Sequence, residues 1–146
     1  MNAVNIAADW TITSTGAVPR AWVSVRDGAI AWIGPAGARD APAGEVVDLG
    51  HGVLLPGLVN AHCHLELTHL AGRVDAGGGF VPWVERLVDA RTRFPEADVD
   101  AGIARGIGQS IASGTVAIAD VSNTLRSVRA LAGSPLRAVV LCELLA

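Results

Sequence analysis

Lysine is missing altogether: the eleven basic residues are all arginine, and against fourteen acids they leave a net charge of −3. No basic field exists to draw in a phosphate backbone, which argues against nucleic acid as a partner. The absence of lysine itself fits a GC-rich coding bias and carries no functional reading. Long hydrophobic runs are missing too, since no stretch approaches the ~18 apolar residues of a membrane span. The N-terminal segment contains Asp9 and lacks the basic start of an export signal. The expectation is a soluble, cytoplasmic protein with no membrane partner. Cysteine is scarce: Cys63 and Cys142 are the whole complement, and with no CxxC pair neither a disulfide framework nor a zinc–thiolate knuckle is indicated.

What is present is core-forming material, with 51% of the 146 residues apolar and 17% charged, a profile that excludes disorder. Seventeen glycines and seven prolines are spread along the chain and imply short elements joined by tight turns. Up to residue 55 the pattern is one of short apolar runs: 6–13, 21–25, 29–33, 45–49 and 53–55. Asp27-Gly28 between two of them is a hairpin signal, because both central residues of a type I′ turn need positive φ. Residues 1–55 therefore read as a small all-β unit. Trp10, Trp22, Trp32 and Trp83 read as core or interface anchors.

From residue 56 to residue 146 strands alternate with helices. A strand over 58–64 is followed by a helix over 80–94, with Pro82 in its first turn and Pro95 as its stop. A second helix spans about 99–113 and ends at Gly114, although Gly102, Gly106 and Gly108 each weaken it by roughly 1 kcal/mol against alanine. A strand over 115–121, a helix over 124–132 and a strand over 136–145 complete the run. This is the grammar of parallel α/β folds.

The sharpest constellation is His62-Cys63-His64. Strand side chains alternate faces, so the two imidazoles point one way with Leu58 and Asn60, and Val59, Ala61 and Cys63 point towards a covering helix layer. Two imidazoles so placed can close on one metal ion. Read alone, a bare HxH is weak evidence for a metal, and two partly exposed histidines in a turn are the simpler reading.

The segment running Gly52-Val-Leu-Leu-Pro-Gly-Leu-Val-Asn-Ala-His-Cys-His-Leu-Glu66 resembles the first barrel strand of the amidohydrolase superfamily. The β-rich first unit resembles the N-terminal β-sandwich portion of that family, and 113–115 and 137–143 resemble its next barrel strands. The resemblance implies an α/β architecture: a partial β-sandwich (1–55), then the first three strands and helices of a TIM-type (β/α)₈ barrel (56–146). A doubly wound open sheet is the structural rival. It also implies metal ligation by His62 and His64, with zinc as first choice and iron as the alternative. Within the superfamily, 62–67 and 80–87 are most similar to the aminohydrolase branch. That branch implies a metal-activated water attacking the amino-bearing carbon of a purine-like or related heterocycle, a small-molecule substrate, and release of ammonia.

Such a barrel takes ≈250 residues and draws further ligands from later strands. The chain is thus expected to be the N-terminal third of the enzyme, inactive alone, with an apolar edge strand that invites homo-oligomers. Glu66 and Glu143 are the candidate catalytic carboxylates, Glu66 also as a group orienting a ligand imidazole. His69, in the loop after the first strand, and Asp120, near the end of the second, are candidate substrate contacts. Either carboxylate at 120 or 143 could more simply pair with an arginine. Cys63 reads as a packing thiol, His51 as structural, and Gly77-Gly78-Gly79 as the hinge of a loop over the site. Two other functions stay open: hydrolysis of a cyclic amide or imidazolone on the same scaffold, and a non-catalytic fragment or binding module.

Overall fold

A computed structural model describes residues 3–144 and shows a mixed α/β chain that divides into two compact units at Pro56 and Gly57. In the first unit, strands β1 (Ala3–Ala7), β4 (Ala21–Arg26), β5 (Ala29–Pro35) and β6 (Gly44–Asp48) form one sheet in the order β5-β4-β1-β6. A second sheet has the order β3-β2-β7, from β2 (Trp10–Thr13), β3 (Gly16–Pro19) and β7 (Val53–Leu54). The hairpin between β4 and β5 turns on Asp27 and Gly28, whose φ values of 53° and 76° are both positive, as its type requires. The apolar run 6–13 is not one strand but two, β1 and β2, which belong to different sheets. Asn5 and Ser24, directly opposed on β1 and β4, are buried and hydrogen-bonded to each other, and Asn5 Nδ2 also donates to the Pro42 carbonyl. Trp10 is not a core anchor, being 47% exposed. His51 is exposed as well, with Nδ1 2.8 Å from Asp9 Oδ2.

The second unit is built on a parallel sheet of β8 (Leu58–Cys63), β9 (Thr115–Ser122) and β10 (Arg137–Cys142), with β9 in the middle. Between β8 and β9 run a 3₁₀ helix (Leu65–Leu70), α1 (Phe80–Ala90) and α2 (Glu96–Ala112); α3 (Ser127–Ala132) connects β9 to β10. The core of this unit joins Leu65, Ile103, Ile107, Ile118, Leu131 and Leu136. No helix among the described residues is long and apolar enough to cross a membrane.

Several elements depart from the sequence reading, each for a visible reason. Helix α1 stops at Ala90 rather than at residue 94, because 91–94 turn away ahead of Pro95 and Phe94 packs edge-on against His69, ring centroids 5.5 Å apart. Helix α2 starts earlier than expected, directly after Pro95, with Glu96 and Asp98 in its first turn, where acids complement the helix dipole. Helix α3 starts at Ser127 rather than residue 124, since Leu125 holds a φ of 60° and its amide is taken by Ser122 Oγ at 2.7 Å. The strand expected over 136–145 ends at Cys142, and its last expected residue lies outside the described ones. Of the three residues expected to face a helix layer, Val59 and Ala61 are exposed, Val59 at 69%, and only Cys63 packs against the core to which α2 contributes. Beside the Gly77-Gly78-Gly79 segment, Arg86 of α1 donates to the carbonyls of Asp75 and Gly77.

The glycines of α2 divide into two kinds. A Cβ on Gly102 would sit 2.7 Å from the His69 amide nitrogen, and one on Gly106 would sit 2.8 Å from Leu65 Cδ2, whereas Gly108 faces open space. Gly102 and Gly106 thus permit the close seating of α2 on the 3₁₀ helix. Gly108→Ala is expected to stabilise the chain by about 0.5–1 kcal/mol, and Gly102→Ala to destabilise it by about 1–3 kcal/mol through overpacking. Urea denaturation midpoints of the two variants check both signs.

Candidate metal centre

Strand β8 delivers His62 and His64 to the C-terminal end of the parallel sheet. Their Nε2 atoms stand 3.1 Å apart and their rings meet at 62° with centroids 5.0 Å apart. Two imidazole nitrogens at tetrahedral positions around zinc, each at about 2.0–2.1 Å, would be about 3.3 Å apart, so the pair fits a shared divalent ion. Among the described residues no third histidine, cysteine or carboxylate joins them. The side chain of Cys63 leaves the strand elsewhere: its Sγ lies 3.5 Å from the Ala119 carbonyl and 3.7 Å from Asp120 Oδ1. Burial, reinforced by the Asp120 carboxylate, pushes this thiol up to about 11, so it remains protonated.

The histidine pair opens on a cavity of about 450 Å³. One wall is the apolar face of α1, with Phe80, Trp83, Val84 and Leu87; the other is polar, with Asn123 and Glu143. Asn123 organises that second wall. Its Nδ2 donates to the backbone carbonyl of Glu143 at 3.0 Å and to Oε2 at 3.2 Å, and its Oδ1 accepts from Arg91 at 3.3 Å. Glu143 therefore sits in the cavity lining and pairs with an amide rather than with an arginine.

Glu66 is neither a solvated carboxylate nor an imidazole-orienting group. It is buried, 7% exposed, and its oxygens take donors from the β9–α3 loop. Oε1 accepts from Ser122 Oγ, from Thr124 Oγ1 at 2.7 Å and from the Arg126 amide at 2.9 Å; Oε2 accepts from the amides of Asn123 and Thr124. Burial opposes its ionisation, but these hydrogen bonds prevail and hold the carboxyl below its ordinary range. His69 is not in an exposed loop. It lies in the 3₁₀ helix at 4% exposure, with Nδ1 2.7 Å from the Glu66 carbonyl, and lines a separate cavity of about 390 Å³. Asp120 is fully buried, accepts the Leu65 amide at 2.8 Å, and lines neither of these cavities.

Asn123, Ser122, Thr124 and Arg91 were not singled out by the sequence reading. The usable signal for the first three was a Ser-Asn-Thr run at a strand-to-helix junction, where such side chains bond backbone groups. Glu66→Ala is expected to destabilise the chain by about 2–3 kcal/mol by leaving buried donors unsatisfied, with a smaller effect for Glu66→Gln, both read by chemical denaturation. Iodoacetamide is expected to label exposed Cys142 in the folded chain and Cys63 only after unfolding, which peptide mass spectrometry resolves.

Comparison with known proteins places these observations in a family. A 5-methylthioadenosine/S-adenosylhomocysteine deaminase of Halobacterium salinarum is 39% identical over 84 residues, 56% of this chain and 19% of that protein. The protein of the same name from Nitratidesulfovibrio vulgaris is 32% identical over 115 residues, 76% of this chain and 24% of its own length. The chain thus spans about a quarter or less of the curated relatives it matches. Among solved structures, Helicobacter pylori aminofutalosine deaminase in complex with methylthio-coformycin aligns at a TM-score of 0.79 and 25% identity, over 97% of this chain and 35% of that one. Residues 53–141, more than half of the sequence and including both histidines, match the amidohydrolase family, and the chain belongs to it.

Proposed function

We propose that this chain carries the first metal-binding strand of a hydrolase that deaminates an adenosine-like nucleoside or a related heterocyclic amine. The observation that carries the reading is the convergence of His62 and His64 Nε2 to 3.1 Å at a cavity with one apolar and one polar wall. A divalent ion, zinc in the first instance and iron in the second, would supply Lewis acidity there and lower the pKa of a water towards neutrality. Net reaction adds water across a carbon–nitrogen bond and releases ammonia. His62 and His64 would hold the ion. The face of α1 with Phe80 and Trp83 takes the flat heterocycle, while Asn123 holds Glu143 and Arg91 at the opposite wall as polar contacts for the rest of the substrate.

The architecture supports the same reading. Strands β8, β9 and β10 lie side by side in chain order, each linked to the next through helices; an opening arc of a (β/α)₈ barrel has this order, one half of a doubly wound sheet has it too, and the match to the amidohydrolase family is what favours the barrel. On this reading residues 1–55 are the accompanying sandwich portion and 56–146 the barrel segment. The relatives named as deaminases of adenosine derivatives favour deamination over cyclic-amide hydrolysis.

Cobalt(II), read by visible absorption, and zinc competition test the metal pair in the chain itself. The wild-type chain and Cys63→Ala are expected to bind, and His62→Ala and His64→Ala to bind no longer. The chain alone is expected to release no ammonia. Joined to the segment that follows the matched region in the Halobacterium salinarum deaminase, it is expected to deaminate 5′-methylthioadenosine, and either histidine substitution to abolish this. Metal binding or turnover that survives both histidine substitutions would overturn the reading.

A further inference from the structure

Among the described residues, Glu66 and Asp120 are the buried acids, and they are treated differently by their surroundings. Every oxygen of Glu66 has donors. Asp120 at 0% exposure has one oxygen in use, and its Oδ2 has no partner. Leaving a buried polar atom unsatisfied is unfavourable by about 1–3 kcal/mol, so packing alone gives a poor account of a carboxylate at this position.

The oxygen in use touches the two residues that flank His64. Asp120 Oδ1 accepts the Leu65 amide at 2.8 Å and lies 3.7 Å from Cys63 Sγ. The pairing of β8 with β9 is irregular just before that point. Asn60 is opposite Ile118 and Cys63 is opposite Asp120, so β8 spends three steps where β9 spends two. The extra residue falls in the stretch that contains Ala61 and His62. Such a bulge re-aims side chains and interrupts the ladder, so strand pairing alone does not fix where the His62 and His64 rings point. Asp120 holds the segment directly beyond the bulge through the Leu65 amide.

We propose that Asp120 is a positioning residue for the imidazole pair: by holding the Leu65 amide on one side of His64 and the Cys63 thiol on the other, it sets the approach of His62 Nε2 to His64 Nε2. Its value for metal affinity rests on the reading of that pair as metal ligands. Its effect on ring geometry does not, and the two are tested separately.

The experiment uses the full chain and the variants Asp120→Ala, Asp120→Leu and Asp120→Asn, with Leu131→Ala as an equally buried core control. Asparagine keeps an acceptor for the Leu65 amide. Leucine fills the space without one and carries the test if alanine fails to fold. In the metal-free chain, the nuclear Overhauser effect between the His62 and His64 rings and the exchange rate of the Leu65 amide are read by NMR. Both are expected to be unchanged in Asp120→Asn and Leu131→Ala. In Asp120→Leu or Asp120→Ala the Overhauser effect is expected to vanish and amide exchange to accelerate. Cobalt(II) affinity is expected to fall about 10–100-fold in the same two variants and to stay within about threefold in the others.

A folded Asp120→Leu or Asp120→Ala that still shows the Overhauser effect between the rings overturns the proposal. So does a Leu131→Ala in which that effect and the cobalt affinity fall to the same degree. If the wild-type chain takes up no cobalt, the metal reading fails, while an Overhauser effect that vanishes in the Asp120 variants alone still supports positioning.

Discussion

The second unit is organised around one buried carboxylate. Glu66 leaves the 3₁₀ helix directly after the histidine strand and takes hydrogen bonds from two hydroxyls and three backbone amides of the loop that follows β9. Burying a charge is unfavourable unless donors replace the lost water, and here they do so completely enough that the carboxyl stays ionised more readily than in solvent. The consequence spreads outward. With the loop fixed, Asn123 reaches Arg91 beyond α1 and Glu143 beyond β10, and Arg126 reaches Asp100 and Glu96 on α2.

Parallel pairing then brings the working groups together. The C-terminal ends of β8, β9 and β10 lie at one edge of the sheet because all three strands run the same way. Residues just past those ends, His64, Asn123 and Glu143, consequently line one cavity although they are far apart in sequence. The same logic places function at the C-terminal face of parallel α/β sheets generally. The close seating of α2 on the 3₁₀ helix, through Gly102 and Gly106, closes the opposite side of the histidine segment and buries Leu65 in the core. Ridges of ordinary side chains would hold the helix further away, and the turn that carries Glu66 would lose its backing.

Local chemistry was legible in the sequence wherever the cause is itself local. The hairpin at Asp27-Gly28 follows from the φ values that two residues permit, and the end of α2 follows from Gly114, which holds a φ of 82°. The alternation of strands and helices follows from periodicity within each run. His62 and His64 were legible as a candidate pair from their spacing, and their nitrogens do converge, although the bulge in β8 means that strand alternation by itself does not produce the convergence. Helix ends were less legible: Phe94 keeps apolar spacing, yet packing against His69 and the constraint of Pro95 draw it out of α1.

What depends on partners distant in the chain had no signature in the sequence. Six residues are too few for a helical period, so the 3₁₀ helix that carries His69 read as a loop, whereas α2 folds over it and His69 is buried. The bulge in β8 exists only relative to β9, and therefore so does the need for Asp120 to hold the strand beyond it. The sequence by itself determined which residue types could hold a metal and where the turns fall, because those properties belong to one residue and its neighbours. Only the tertiary structure decided that Glu66 clamps a loop, that Asp120 takes the Leu65 amide beside His64, and that Asn123 holds Glu143, because each of these is a hydrogen bond between segments some twenty to sixty residues apart.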